Sequence, residues 1–235
     1  MSDPITVSHI FFDVDGTLVD FQSSLRAGLE AAAEVMSARL GRPVTPQVLQ
    51  DTRNRVYRAH SGRRLDAVRQ DSIRQVFRER GVDDEPAVLE ATRRFFEARD
   101  ETVTPFDDVV PALTALRARG FTLIAATNGN AAIVRTPVLT LLHDTWSADE
   151  AGVSKPHPRF FEAALARACV SPAHALMVGD RLDNDVEPAL LAGMHALLLD
   201  RDGGAPRAAD GSIEVIRSLS ELPERVRPAR TPTGA

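Results

Sequence analysis

Four short apolar runs, each closed by a polar or acidic residue, constrain the fold of this chain more than any other feature. Ile10-Phe11-Phe12 runs into Asp13, Leu123 to Ala126 into Thr127, Ala175 to Val178 into Gly179-Asp180, and Ala196 to Leu199 into Asp200. Runs of this length and purity read as strands buried on both faces. Helical spacing separates them, over about 109–119, 131–142, 158–168 and 185–192. Gly120 and Gly193 fall where a helix ends on a left-handed residue. Strands alternating with helices of this length predict βαβ units, and hence an α/β fold with a parallel sheet.

Residues 20–100 break the alternation. They are rich in Ala, Arg, Glu, Gln and Leu, and show helical spacing at Leu25, Leu29, Ala32, Ala33, Met36 and Leu40. Breaks at Gly41-Arg42-Pro43, His60-Ser61-Gly62 and Gly81-Val82-Asp83 predict about four helices and no strand. The block reads as an inserted all-helical subdomain, with 1–19 and 101–226 forming the core around it. Arg227 to Ala235, rich in Pro, Thr and Arg, reads as a flexible tail.

Composition excludes several classes. At 43% hydrophobic and 26% charged residues the chain has the balance of a folded protein. Its 235 residues suit one large domain or a core with an insert, at roughly 150 residues per domain. A net charge of −5 gives no broad basic field for nucleic acid or an anionic membrane, so neither partner is expected. Cys169 is the sole cysteine, which excludes an internal disulfide and a cysteine zinc site. The N-terminal segment carries acids where an export signal needs cations, and no stretch approaches the ~20 apolar residues of a membrane span. A cytoplasmic protein is the expectation.

In an open parallel sheet, ligands bind beyond the carboxyl ends of the strands. Asp13, Asp15, Thr127, Asn128, Asp180 and Asp185 therefore become candidates for one site, although more than a hundred residues separate the first from the third. Carboxylates gathered in one cleft cannot all stay ionised without a cation. An all-oxygen cluster of this kind suits Mg²⁺.

These residues resemble the four ordered motifs of the haloacid dehalogenase superfamily. The matching stretches are Asp13-Val14-Asp15-Gly16-Thr17-Leu18, Thr127-Asn128-Gly129 after its apolar run, Lys155-Pro156-His157-Pro158, and Gly179-Asp180-Arg181-Leu182-Asp183-Asn184-Asp185. The resemblance implies a Rossmann-like core, with the helical block as a cap inserted between the first two motifs. It also implies a phosphatase: a Mg²⁺-dependent phosphomonoester hydrolase for a small phosphorylated metabolite.

On that reading Asp13 attacks phosphorus and carries an aspartyl-phosphate. Asp15 protonates the leaving oxygen and later takes a proton from water. Gly16 and Thr17 turn the chain so that backbone N–H groups near Val14 and Asp15 meet phosphoryl oxygens. Thr127 offers its hydroxyl, and Asn128 and Gly129 the adjoining backbone, to a further phosphoryl oxygen. Mg²⁺ is held by Asp13, the backbone carbonyl of Asp15, Asp180 and, directly or through water, Asp185. Asp185 also suits a helix N-terminus or a brace for Lys155.

Lys155 carries a separate signal. The 28 basic residues comprise 27 arginines and this one lysine, which falls in the third motif. Random placement among those basic positions would put it there about one time in thirty. A compact ammonium reaches a carboxylate and a phosphate from one point, which a planar guanidinium does not.

Other residues have plainer readings. Asp183 is expected to cap a helix or face water, and Cys169 to be a buried, inert thiol. Tyr57, Arg58, His60, Arg63 and Arg64 form either a solvated basic face or part of a substrate pocket. Phe21, Gln22, Ser23 and Ser24 are candidate substrate contacts, with Ser23 or Ser24 alternatively capping the first inserted helix. A 2-haloacid dehalogenase would use the same nucleophile without a leaving-group acid or a metal. A sugar phosphomutase would keep every catalytic residue, and a non-catalytic binding protein would have no need of four intact motifs.

Overall fold

The computed structural model describes residues 3–59, 65–129, 136–204 and 213–229. Two compact units emerge, one joining Met1–Asp20 to Thr104–Ala235 and the other comprising Phe21–Val103.

The first unit is built on six parallel strands. β2 (His9–Phe12), β3 (Thr122–Thr127), β4 (Asp144–Ser147), β5 (Ala175–Gly179), β6 (His195–Leu199) and β7 (Val215–Ile216) lie in the order β4-β3-β2-β5-β6-β7. β2 and β5 sit centrally, and Ile10, Phe11, Phe12, Leu176, Met177 and Val178 are buried to within 1% of completely. Strands covered on both faces cannot alternate polar and apolar residues, which is why they read as unbroken apolar runs. α5 (Val109–Ala118), α6 (Ala148–Ala151), α7 (Pro158–Arg167), α8 (Glu187–Leu191) and α9 (Leu222–Arg225) complete the unit. α5 and α8 end at Gly120 and Gly193, both with positive φ. One layer of core packs Phe11, Ile124, Trp146, Phe160, Phe161 and Met177 together.

Register positions the site. Phe12 pairs with Ala125 on one side and Val178 on the other, so the three strands reach their carboxyl ends at one level. Asp13, Thr127 and Asp180 emerge there together.

The second unit contains α1 (Phe21–Leu40), α2 (Pro46–Ala59), α3 (Leu65–Arg78) and α4 (Glu85–Glu101). Leu29, Met36, Leu49, Ile73, Phe77, Val88 and Phe95 form its own core. Asp84 caps α4 by accepting from the Ala87 amide at 3.0 Å, with Pro86 in the first turn.

The structure corrects four expectations. Val226–Pro228 forms strand β8, paired in parallel with β1 (Ile5–Val7), so the supposed tail begins as sheet; residues 230–235 lie outside the described residues. The helix expected over 131–142 is a 3₁₀ turn over Pro137–Leu141, opened by a proline, and 131–135 lie outside the described residues. The helix expected to start at Asp185 begins at Glu187, after a wide π-type turn over Leu182–Val186. Cys169 is exposed rather than buried, and its φ of +51° places it in the turn that ends α7.

Candidate active site

Asp13 stands one residue beyond β2, and its amide still donates to the Val178 carbonyl at 2.9 Å. The chain then turns back on itself. The Val14 carbonyl accepts from Thr17, Leu18 and Val19, while the Gly16 amide donates to Val19. Gly16 has φ +86°, and a Cβ built there would lie 2.5 Å from Asp180 Oδ2. Both the turn and the close approach of the fourth motif demand glycine at this position.

Lys155 organises the acids. Its side chain is wholly buried, and Nζ donates to Asp13 Oδ1 at 2.7 Å, to Asp185 Oδ1 at 2.6 Å and to the Ala126 carbonyl at 2.7 Å. Three acceptors use all three ammonium protons. Burial alone lowers this amine, yet the Asp13 and Asp185 carboxylates outweigh it and hold the group above its ordinary value.

Asp180 completes the cluster. Asp13, Asp180 and Asp185 each offer an oxygen, all within 4.8 Å of one another. Burial, then the charge of Asp13, push Asp180 up to about 6. The same two causes raise Asp185, against the pull of Lys155. Three ionised carboxylates facing one ammonium carry two negative charges too many for neutrality. Asp180 Oδ1 is also buried with no hydrogen-bond partner among the described residues. A hard divalent cation answers both deficits, so the donor set fits one.

Asp185 is placed by its own loop. Its Oδ2 accepts from the Arg181 amide at 3.2 Å, and a Cβ on Gly179 would lie 2.5 Å from the Asp185 Cβ. Asp183 points to solvent and pairs with Arg181 at 2.9 Å, as a surface residue would. The Asp15 carboxylate is not one of the three acids of that cluster. Its Oδ2 would lie 3.4 Å from a Cβ on Gly129, and Thr127 Oγ1 3.7 Å from the same point. Asp15, Thr127 and Gly129 therefore share one side of the site.

Thr127 is 3% exposed, and its Oγ1 accepts from the Gly129 amide at 3.0 Å, which leaves the hydroxyl proton to be donated elsewhere. Asn128 has a role that sequence reasoning missed. Its Nδ2 donates to the Lys155 carbonyl at 2.9 Å, and its Oδ1 accepts from the Lys155 amide at 2.7 Å. One side chain thus clamps the backbone of the residue that organises the acids.

Among the helical-unit candidates, Ser24 is buried and donates to the Phe21 carbonyl at 3.0 Å, so it caps nothing. The Arg53 guanidinium lies 4.9 Å from the Tyr57 ring centroid. His60, Arg63 and Arg64 lie outside the described residues. No helix among the described residues is long and apolar enough to cross a membrane.

Comparison with known proteins shows what the chain is similar to. The family model of haloacid dehalogenase-like hydrolases matches residues 7–193. A glyceraldehyde 3-phosphate phosphatase of Methanopyrus kandleri is 31% identical over 211 residues, covering 83% of this chain and 84% of its own. A phosphoglycolate phosphatase of Thiobacillus denitrificans is 28% identical, covering 92% and 99%. Among solved structures, a 2-haloacid dehalogenase of Pseudomonas syringae superposes with a TM-score of 0.78 at 30% identity, covering 93% and 97%.

Proposed function

The chain belongs to the haloacid dehalogenase-like hydrolases, and from that premise we propose that it is a Mg²⁺-dependent phosphatase of small phosphorylated metabolites. The observation that carries the reading is the pairing of two separate acidic features. One is the Asp13–Asp180–Asp185 cluster, short of positive charge; the other is Asp15, standing beside Thr127 and Gly129. A hydrolase that displaces halide needs neither a leaving-group acid nor a metal. A hydrolase that splits a phosphate ester needs charge neutralisation and a leaving-group acid.

In this reading Asp13 is the nucleophile. Lys155 holds one of its oxygens at 2.7 Å and so orients the other for attack on phosphorus. The phosphoryl group passes to Asp13 as the ester bond breaks, and Asp15 gives its proton to the departing oxygen. Asp15 then takes a proton from the water that hydrolyses the aspartyl-phosphate. Thr127 donates its hydroxyl proton to a phosphoryl oxygen, joined by the backbone amides of Val14, Asp15 and Asn128. Asp13, Asp180, Asp185 and the Asp15 carbonyl would hold Mg²⁺, which supplies positive charge against the phosphoryl oxygens when bound.

Phosphate release from p-nitrophenyl phosphate and a panel of phosphorylated metabolites tests this. The wild type is expected to require Mg²⁺ and to stop on chelation, and Asp13→Asn to lose at least ~10³-fold in turnover. Full activity in chelator ends the reading. The similarity to a 2-haloacid dehalogenase supports a second reading, and metal-independent halide release from 2-chloropropionate would put it first.

A further inference from the structure

We infer that Arg201 is a positioning residue for the catalytic loop, acting through the backbone carbonyl of Thr17. The inference rests on the phosphatase reading for its consequence, but not for its geometry. Arg201 lies beyond residue 193, where the family match ends, and none of the four motifs contains it.

Arg201 follows β6 and is largely buried, with 18% of its side chain exposed. Its Nη2 donates to the Thr17 carbonyl at 2.8 Å, and its Nη1 donates to Asp108 Oδ2 at 2.9 Å. The guanidinium lies 4.0 Å from the Phe106 ring centroid, which fixes its plane. Asp108 Oδ2 also accepts from Ser218 Oγ at 2.7 Å and from the Leu219 amide at 2.8 Å. Four separated pieces of chain thus meet at one carboxylate oxygen and one arginine.

The choice of partners is informative. An arginine and a carboxylate bind most strongly as a fork, through two parallel hydrogen bonds. Here Arg201 Nε and Asp108 Oδ1 are both buried without a partner among the described residues. The pair forgoes its second bond, and the freed Nη reaches Thr17 instead. The open fork leaves one nitrogen of the guanidinium to hold the loop while the other holds Asp108.

Thr17 adjoins Gly16, whose backbone lies against Asp180, and Asp15, the proposed acid. Thr17, Leu18 and Val19 also donate to the Val14 carbonyl, so a shift at Thr17 passes to Val14 beside the nucleophile. Arg201 therefore restrains the loop through the Thr17 carbonyl. Its loss is expected to lower the rate of reaction more than the affinity for substrate.

The test compares wild type with Arg201→Lys and Arg201→Met, reading kcat, KM, melting temperature and amide hydrogen exchange. Arg201→Lys keeps a cation opposite Asp108, and so the fold, but its amine ends one bond short of the Nη positions and lacks the fixed spread of two nitrogens that here serves Asp108 and Thr17 separately. We expect kcat on p-nitrophenyl phosphate to fall by about tenfold or more with KM unchanged, as displacement of a reacting group does. Exchange at Gly16, Leu18 and Val19 should quicken by a similar factor, with the sheet amides unaffected. Arg201→Met should deepen both effects; if it fails to fold, Arg201→Lys carries the test. Wild-type kcat together with wild-type exchange in Arg201→Lys overturns the inference. So does faster exchange spread over the whole unit, which marks a purely structural role. If the wild type releases phosphate from no ester, the phosphatase reading fails, and the exchange at residues 16–19 alone decides the positioning claim.

Discussion

Lys155 donates each of its three ammonium protons inside the protein, to Asp13, Asp185 and the Ala126 carbonyl. A guanidinium is wider, presents its donors in a plane, and would have to enter a site closed to solvent around a side chain that is 0% exposed. Lys155→Arg is therefore expected to displace Asp13 and lower kcat by about 10²-fold, the scale of a 1 Å misplacement. Steady-state kinetics on a folded variant checks this, and near-normal turnover would remove the geometric argument. The same physics explains why one lysine survives in a chain that otherwise uses arginine. Asn128 follows the opposite logic: its side chain does what no charge could, pairing with both the amide and the carbonyl of Lys155.

At the scale of elements, the turn from β5 into α8 holds the acids together by close approach. A Cβ on Gly179 would lie 2.5 Å from both Cβ and Cγ of Asp185. Gly179→Ala is expected to push Asp185 away from Lys155 and to cost about 1–3 kcal/mol of stability, the usual range for overpacking. A lower urea midpoint with an unchanged slope would show it. The central strands and the acids at their ends were legible in the sequence, because burial on both faces demands apolar runs and ligands gather past them. β4 was hidden, since Asp-Thr-Trp-Ser is mostly polar and Asp144 pairs with Arg167 at the surface. β7 has two residues, too few for any pattern. The helix expected at Asp185 was displaced because that carboxylate turns inward to Lys155 instead of capping. Arg201 and the Asn128 clamp escaped notice for one reason. Each holds the site through a backbone group, the Thr17 carbonyl or the amide and carbonyl of Lys155, which no residue type announces.

For the whole molecule, the acidic cluster links stability to pH and to cations. Burial, then the charge of Asp13, push Asp180 up to about 6 in the folded state, from 3.8 for an unperturbed carboxyl. Within that window the folded state binds more protons than the unfolded chain, so stability falls as pH rises through it. A divalent cation on the same oxygens opposes the loss. Calorimetry should show Mg²⁺ raising the melting temperature at pH 7.5, with about 2.7 kcal/mol added at a hundred times its dissociation constant. The shift should shrink at pH 5, where protons compete for Asp180; an equal shift at both values would place the cation elsewhere.

The sheet order has a further consequence, for synthesis. β2 is made long before its neighbours β3 and β5, which begin only at residues 122 and 175, and β1 waits for a partner at 226. A nascent chain leaving the ribosome must therefore carry the oily segment Ile10-Phe11-Phe12 unpaired while the helical unit, whose contacts are local, is already complete. Helpers that shield emerging hydrophobic segments are therefore expected to have a client in Ile10-Phe11-Phe12.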